Sequence, residues 1–238
     1  MMTQDRFWPY PGATNPEAYE LLNLGTDPEQ RLEALMWSIA PLNGKVLLDV
    51  GAGSGFHALR YAARAKHVFA LEPDARMRRQ LYQRLLQHSP ENVSVLAAYA
   101  GDIPLADASV DLVHARFAYF FGTDDCLPGL REVRRVLRPG GHFFVIEAHG
   151  GRGQFGQIAR RCYPQAFSEE SQAKVRAFFE RHGFETHEVD SAFRAPDRQA
   201  LETVMRMDFP PDKIPAIMEE IQGTELSYSF WVFHYHKP

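Results

Sequence analysis

The chain has 238 residues, 45% hydrophobic and 24% charged. At about 100–200 residues per domain this is one large domain or one domain with appendages, and the composition excludes long disorder and fibrous repeats. With 26 Lys and Arg against 30 Asp and Glu the net charge is -4, the wrong sign for a protein whose main task is gripping nucleic acid. Two cysteines, Cys126 and Cys162, make no disulfide framework, so a reducing cytoplasm is the expected setting. Met1-Met2-Thr3-Gln4-Asp5-Arg6 lacks a signal-peptide pattern, and no run approaches the ~18 apolar residues of a membrane span. No membrane partner is expected.

Residues 5–16 carry Phe7, Trp8, Pro9, Tyr10, Pro11 and Pro16 with no period of 2 or 3.6, which predicts an ordered, irregular arm. Asp27-Pro28-Glu29 opens a helix, with Asp as N-cap and Pro at the first helical position. Leu32, Leu35, Met36 and Ile39 give it an apolar face, and Asn43-Gly44 ends it. Residues 1–44 thus read as an arm and cap helix, and 45–238 as the main domain.

Val46–Val50 is a short apolar run suited to a strand buried on both faces. A glycine-rich turn and a helix over 56–65 follow, then a strand over 67–71 and a helix over 74–87. Further strands are predicted over 93–97, 110–115 and 142–146. A helix with the stripe Leu127, Leu130, Val133, Leu137 precedes the last of these and is broken by Arg138-Pro139-Gly140-Gly141. Strands alternating with helices imply right-handed crossovers and a parallel sheet covered on both faces. Beyond residue 150 a glycine-rich loop leads to a helix near 168–182 and a strand over 184–192. Helical stretches near 197–207 and 212–221 and an aromatic strand over 225–236 complete the chain. Segment 150–222 reads as insert or lid elements.

Asp49-Val50-Gly51-Ala52-Gly53-Ser54-Gly55 joins the first strand to its helix. Glycines belong where a ligand must lie against bare backbone, and Asp49 sits at the strand end where open α/β sheets bind ligands. With 17 Gly and 30 acids in 238 residues, chance produces this pattern about once in 100 such chains, Gly being near the average ~7%. The loop alone leaves the ligand open, because Gly53-Ser54-Gly55-Phe56-His57-Ala58 also fits a nicotinamide fingerprint with Glu72 near the expected acid. Glu72 ends the second strand before Pro73-Asp74, and a carboxylate there can accept both hydroxyls of a ribose. Gly101-Asp102-Ile103-Pro104 follows the third strand, where Asp102 can accept from the exocyclic amine of adenine with Ile103 on the ring.

Together with Asp111–Ala115 and Leu130–Gly141, which ends in Arg135-Val136-Leu137-Arg138-Pro139-Gly140-Gly141, this order resembles the class I S-adenosylmethionine-dependent methyltransferases, small-molecule branch. The resemblance covers residues 45–147. It implies a Rossmann-like, doubly wound, mostly parallel α/β sheet of seven strands. The implied order is 3-2-1-4-5-7-6 with the last strand antiparallel, here under a helical N-terminal cap. It further implies S-adenosylmethionine as cofactor and a small-molecule methyl acceptor. Carried over by position, Asp49, Gly51, Ala52 and Gly53 would line the methionine part. Glu72 with Pro73 would hold the ribose, and Asp102 with Ile103 the adenine. Arg116 and Phe117 would lie beside the sulfonium and the acceptor, although Arg116 departs from the small or polar residue often found there. A protein or RNA methyltransferase, a nicotinamide oxidoreductase and a non-catalytic cofactor-binding protein are the alternatives. Gly101-Asp102 and the Arg-Pro-Gly-Gly turn count against the oxidoreductase.

Methyl transfer needs no catalytic triad, because the cofactor carries the hard chemistry. Glu147 and His149 after the fifth strand and Tyr119 after the fourth are the candidates for a base. Arg131, Arg134, Arg135 and Arg138 line one helix face and read as a solvated face. His234 and His236 share a face of the last strand, but with no third ligand apparent no metal site is expected. Arg160 and Arg161 precede Cys162, a placement that can lower a thiol's pKa, but the lone cysteine reads as an unremarkable thiol. The acceptor atom and the oligomeric state leave no signature in the sequence.

Overall fold

Seven strands form one sheet: β1 (Val46–Val50), β2 (His67–Leu71), β3 (Val93–Leu96), β4 (Val110–Arg116), β5 (Leu137–Ala148), β6 (Glu185–Arg194) and β7 (Glu225–His236). The structure is a computed structural model describing residues 15–238, so the arm residues Phe7, Trp8 and Tyr10 lie outside the described residues. The strand order is β3-β2-β1-β4-β5-β7-β6. The first five strands are parallel, and β7 runs antiparallel to both β5 and β6, as the resemblance implies.

Nine α-helices accompany the sheet among the described residues. They are α1 (Pro16–Gly25), α2 (Arg31–Ile39), α3 (Phe56–Ala62), α4 (Ala75–His88), α5 (Leu127–Val136), α6 (Gly153–Cys162), α7 (Glu169–Arg181), α8 (Arg198–Asp208) and α9 (Ile214–Glu220). The sheet separates two apolar clusters. One gathers Leu22, Met36, Phe144, Ile158, Leu201 and Ile217 from the face covered by the N-terminal helices, α6, α8 and α9. The other gathers Leu130, Val133, Phe143, Phe178, Phe179 and Phe233 under α5 and α7. No described helix is long and apolar enough to cross a membrane.

Four local expectations change. Helix α1 was not predicted, yet Asn15 accepts from the Ala18 amide and Pro16 takes the first helical position, the same start grammar as Asp27-Pro28. The helix assigned to Asp27-Pro28 starts only at Arg31, with the Asp27 carboxylate reaching forward to the amides of Arg31 at 3.0 Å and Leu32 at 2.9 Å. The glycine-rich stretch after residue 150 contains α6: a Cβ at Gly156 would stand 2.7 Å from the His149 carbonyl. Glycine there lets the helix pack against the end of β5, so it marks a close approach and not a loop. Leu137 belongs to β5 and not to the preceding helix.

Phe233 is fully buried and stacks on Phe179 with centroids 3.9 Å apart. Phe233→Ala should therefore cost about 3–5 kcal/mol of stability, read as a lowered urea midpoint at unchanged slope.

Candidate functional site

Strand β1 delivers Asp49 to the C-terminal edge of the sheet with the side chain 3% exposed. Its register neighbour on β4 is His114, whose Nδ1 lies 2.9 Å from Asp49 Oδ1. A carboxylate only accepts, so the imidazole proton sits on Nδ1. The Tyr61 hydroxyl on α3 donates to Nε2 at 3.4 Å, and burial holds that phenol well above the usual tyrosine range. Asp49 Oδ2 is left buried and without a hydrogen bond, as is Ser54 Oγ five residues on. A buried polar atom left unpaired costs about 1–3 kcal/mol, so both atoms are suited to a ligand that brings donors.

The loop over these atoms is shaped by backbone contacts. The amides of Gly51 and Ala52 both donate to the Leu71 carbonyl, at 2.8 and 3.0 Å. Gly51 has φ +74°, and a Cβ there would stand 2.4 Å from the Ala118 Cβ. Glycine is thus required twice over, for its φ and for the approach of the loop after β4. The Gly53 amide donates to Glu72 Oε2 at 2.9 Å and the Asp74 amide to Glu72 Oε1 at 2.8 Å. Burial raises the Glu72 carboxyl, and these two amides pull it back. Each carboxylate oxygen accepts twice, so Glu72 can still receive two hydroxyls. Pro73 holds the corner, its carbonyl and that of Glu72 both accepting from Arg78.

Helix α1 closes over the loop. The Tyr19 hydroxyl occupies the space where a Gly53 Cβ would project. Arg84 of α4 joins Glu20 of α1 and donates to the Ser54 carbonyl at 3.0 Å. The N-terminal cap predicted as helix α2 therefore acts at the loop mainly through α1.

The loop leaving β4 carries strain. Phe117 and Tyr119 have φ +51° and +60°, a left-handed conformation that non-glycine residues hold only when their surroundings demand it. Arg116 projects between His57 and β7. It donates to His57 Nε2 at 3.0 Å, and its guanidinium lies 5.5 Å from the Phe117 ring and 5.9 Å from the Phe230 ring. Burial, then Arg116 itself, lowers His57 well below the usual range, which keeps that ring a neutral acceptor. Among the described residues no carboxylate makes an ion pair with Arg116. Its charge is felt at Tyr19, Tyr61 and Tyr228.

An aromatic wall continues from there. Phe155 stacks on Tyr228 at 4.0 Å and Tyr228 lies 4.4 Å from Phe230. Burial raises the Tyr228 phenol, with Asp208 and Glu147 adding to the rise. Burial alone lifts Asp208 to about 7.

The three base candidates separate clearly. The Tyr119 hydroxyl donates to the Asp125 carbonyl at 3.1 Å and accepts from the Gly129 amide at 3.3 Å, so it is spent on the start of α5. His149 accepts from the Gly151 amide through Nδ1 at 3.0 Å and packs on Trp231 at 4.6 Å, with Glu188 3.8 Å from Nε2. Burial lowers it. Glu147 Oε1 is buried without a partner, and burial raises that carboxyl well above the usual range. Its neighbour Ile146 accepts the Phe117 amide at 3.0 Å, which puts Glu147 beside the strained loop.

Asp102 is exposed on its loop, whereas Ile103 is buried in the core cluster with Leu71 and Leu130. The loop is fastened from α5. Glu132 accepts the Ile103 amide at 2.9 Å, and Arg135 donates to the carbonyls of Ile103 at 2.8 Å and Leu105 at 2.7 Å. Arg134 likewise donates to the His182 carbonyl at 2.7 Å, and Arg138 pairs with Asp111 at 2.8 Å. Arg134, Arg135 and Arg138 thus fasten neighbouring segments in place of a purely solvated face, whereas Arg131 is exposed as expected. His114, Tyr61, His57 and Tyr19 are site residues that sequence reasoning missed. The legible signal was a histidine inside an apolar strand predicted to be central. Burial pushes the Cys162 thiol up, as suits an unremarkable thiol.

Residues 47–141 match a family described as a methyltransferase domain. A demethylmenaquinone methyltransferase of Clavibacter sepedonicus is 33% identical over 127 residues, 53% of this chain and 50% of the relative. A malonyl-[acyl-carrier protein] O-methyltransferase of Erwinia pyrifoliae is 36% identical over 113 residues, 46% of this chain and 39% of the relative. The chain thus spans half or less of these relatives' own length. Among solved structures, the YcgJ protein of Bacillus subtilis superposes with TM-score 0.62 at 18% identity, covering 86% of this chain and 97% of that one. A SAM-dependent methyltransferase of Aquifex aeolicus gives 0.58 at 19%, covering 92% and 97%. At such identity these likenesses bear on the fold.

His114→Leu removes the partner of a buried carboxylate and should cost about 3–5 kcal/mol of stability at neutral pH. The double variant with Asp49→Leu should recover part of the loss, measured by urea unfolding as a double-mutant cycle.

Proposed function

We propose that this chain, whose residues 47–141 match a methyltransferase domain, is a class I S-adenosylmethionine-dependent enzyme that methylates a small-molecule acceptor bearing an acidic group. The observation that carries the reading is Asp49, one oxygen held by His114 and the other buried without a partner at the mouth of Gly51-Ala52-Gly53. S-adenosylmethionine, when bound, supplies a methyl carbon made electrophilic by the neighbouring sulfonium. The residues present fit it. Asp49 offers an acceptor to the amino end, and Gly51, Ala52 and Gly53 expose backbone beside it. Glu72 and Pro73 offer the ribose site, and Asp102 offers a carboxylate to the base over a floor built by Ile103.

The acceptor side rests on Arg116, Phe117, Tyr228 and Phe230, with Glu147 at the adjoining strand end on the sheet's other face, level with Trp231. Arg116, which makes no ion pair with a carboxylate among the described residues, holds the acidic group against aromatic walls. Such fixing of the acceptor in line with the methyl can supply about 7–11 kcal/mol of the barrier. Helix α1 and the loop after β4 exclude water. Glu147, kept protonated at low pH by burial, takes the acceptor's proton once ionised. A relative named for demethylmenaquinone supports a small-molecule acceptor, and one named for malonyl-[acyl-carrier protein] supports an acidic one.

Labelled S-adenosylmethionine incubated with a panel of small carboxylic acids and phenols should transfer its methyl group to at least one of them. Label appearing only in protein or RNA would overturn the small-molecule reading. Arg116→Gln should raise KM for the acidic acceptor by about tenfold, as expected for one lost charge-assisted hydrogen bond.

The sign of the pH dependence follows from Glu147. Its carboxyl is raised, so the base form accumulates only above the ordinary carboxylate range, and kcat should rise with pH through that raised pKa. Glu147→Gln should abolish this limb and lower kcat by about 100-fold or more. His149→Ala and Tyr119→Phe should keep both the limb and most of the rate.

A further inference from the structure

The corner of the sheet farthest from the glycine loop gathers histidines. Strand β7 is antiparallel, so its end lies beside the start of β5, with His142 opposite His236 and Phe144 opposite His234. Strand β6 places Glu185 opposite His234 and His187 opposite Val232. Strand alternation sends Glu185, His187 and His234 out of the same face. One ligand atom of each lies within 4.8 Å of the others.

Two of those atoms have no partner. His187 Nε2 and His234 Nδ1 are buried and make no hydrogen bond, and the His234 side chain is 8% exposed. Both nitrogens face the Glu185 carboxylate across gaps too wide for a hydrogen bond, 4.0 Å from His187 and 3.8 Å from His234. Metal–ligand bonds of about 2.0–2.2 Å in tetrahedral geometry place ligands about 3.4 Å apart. The gaps exceed that separation by roughly half an ångström, and Glu185, whose side chain is 77% exposed, is free to move inward.

We propose that Glu185, His187 and His234 bind one divalent transition-metal ion of the zinc class at this corner. Two imidazoles and one carboxylate are a donor set that suits Zn2+, Co2+ and Ni2+, with solvent completing the shell. The surroundings carry the supporting interaction that such sites use. A metal on His234 Nδ1 requires the proton on Nε2, where His142 Nδ1 stands 2.9 Å away to accept it. His142 in turn is held between His234 and His236, with centroids at 5.2 and 4.7 Å. His236 packs on His142, and β6 brings the second and third ligands. The ion would fasten edge strand β6 to β7 at the end of the sheet opposite the cofactor loop, so methyl transfer should not require it.

The untagged full chain, stripped with chelator, is titrated with ZnCl2 by calorimetry and with CoCl2 by visible absorption. One ion per chain should bind, with thermal unfolding shifted upward by saturating Zn2+. Glu185→Gln and His187→Ala change exposed or partly exposed side chains and should each weaken binding at least tenfold and remove the thermal shift. His142→Phe should weaken binding about tenfold through His234. Absence of saturable binding overturns the proposal, and so does unchanged affinity in both Glu185→Gln and His187→Ala, since the ion would then sit elsewhere.

Discussion

The hydrogen bond between Asp49 and His114 fixes the edge on which the rest of the site is built. Strands β1 and β4 are neighbours in the sheet, and each contributes one buried polar side chain in an otherwise apolar layer. Neither group is tolerable alone in that layer. Paired, they lock the register of the two strands and leave the remaining Asp49 oxygen buried without a partner. Tyr61 extends the pair into α3, so the first helix after the loop is tied to the same carboxylate.

From that point outward each element takes a position the previous one allows. Gly51 lets the strained loop after β4 approach, and that loop presents Arg116 and Phe117. Gly53 leaves room for Tyr19, so α1 seals the same loop from the other side. Glu72 fastens β2 to the loop through two backbone amides. On the second cluster's face, Glu132 and Arg135 fasten the Asp102 segment to α5. Arg116 meets the neutral ring of His57 and makes no ion pair with a carboxylate among the described residues, and Glu147 keeps one buried oxygen without a partner.

Much of this was legible in the sequence, for physical reasons that differ by element. Central parallel strands are continuous apolar runs, and β1, β2 and β4 stand almost where the runs stand. The turn Arg138-Pro139-Gly140-Gly141 punctuates the chain strongly enough to place β5. The glycine loop and Glu72 were readable because backbone approach restricts residue type. What was hidden depends on tertiary packing. Glycines in α6 looked like loop because a close helix–strand contact and a flexible turn use the same residue. The arginines of α5 looked solvated because periodicity shows which face they share and not which carbonyls lie within reach. The histidine corner was hidden because its ligands come from two strands 40 or more residues apart in the chain, and spacing along one strand cannot report that pairing.

The central claim is that the free oxygen of Asp49 receives the amino end of the cofactor. Calorimetric titration of the chain and of Asp49→Asn with S-adenosylhomocysteine tests it most directly. The account predicts one saturable site in the wild type and binding at least tenfold weaker in the variant, with the fold retained by circular dichroism. No heat in the wild type, or equal affinity in the two proteins, would contradict it.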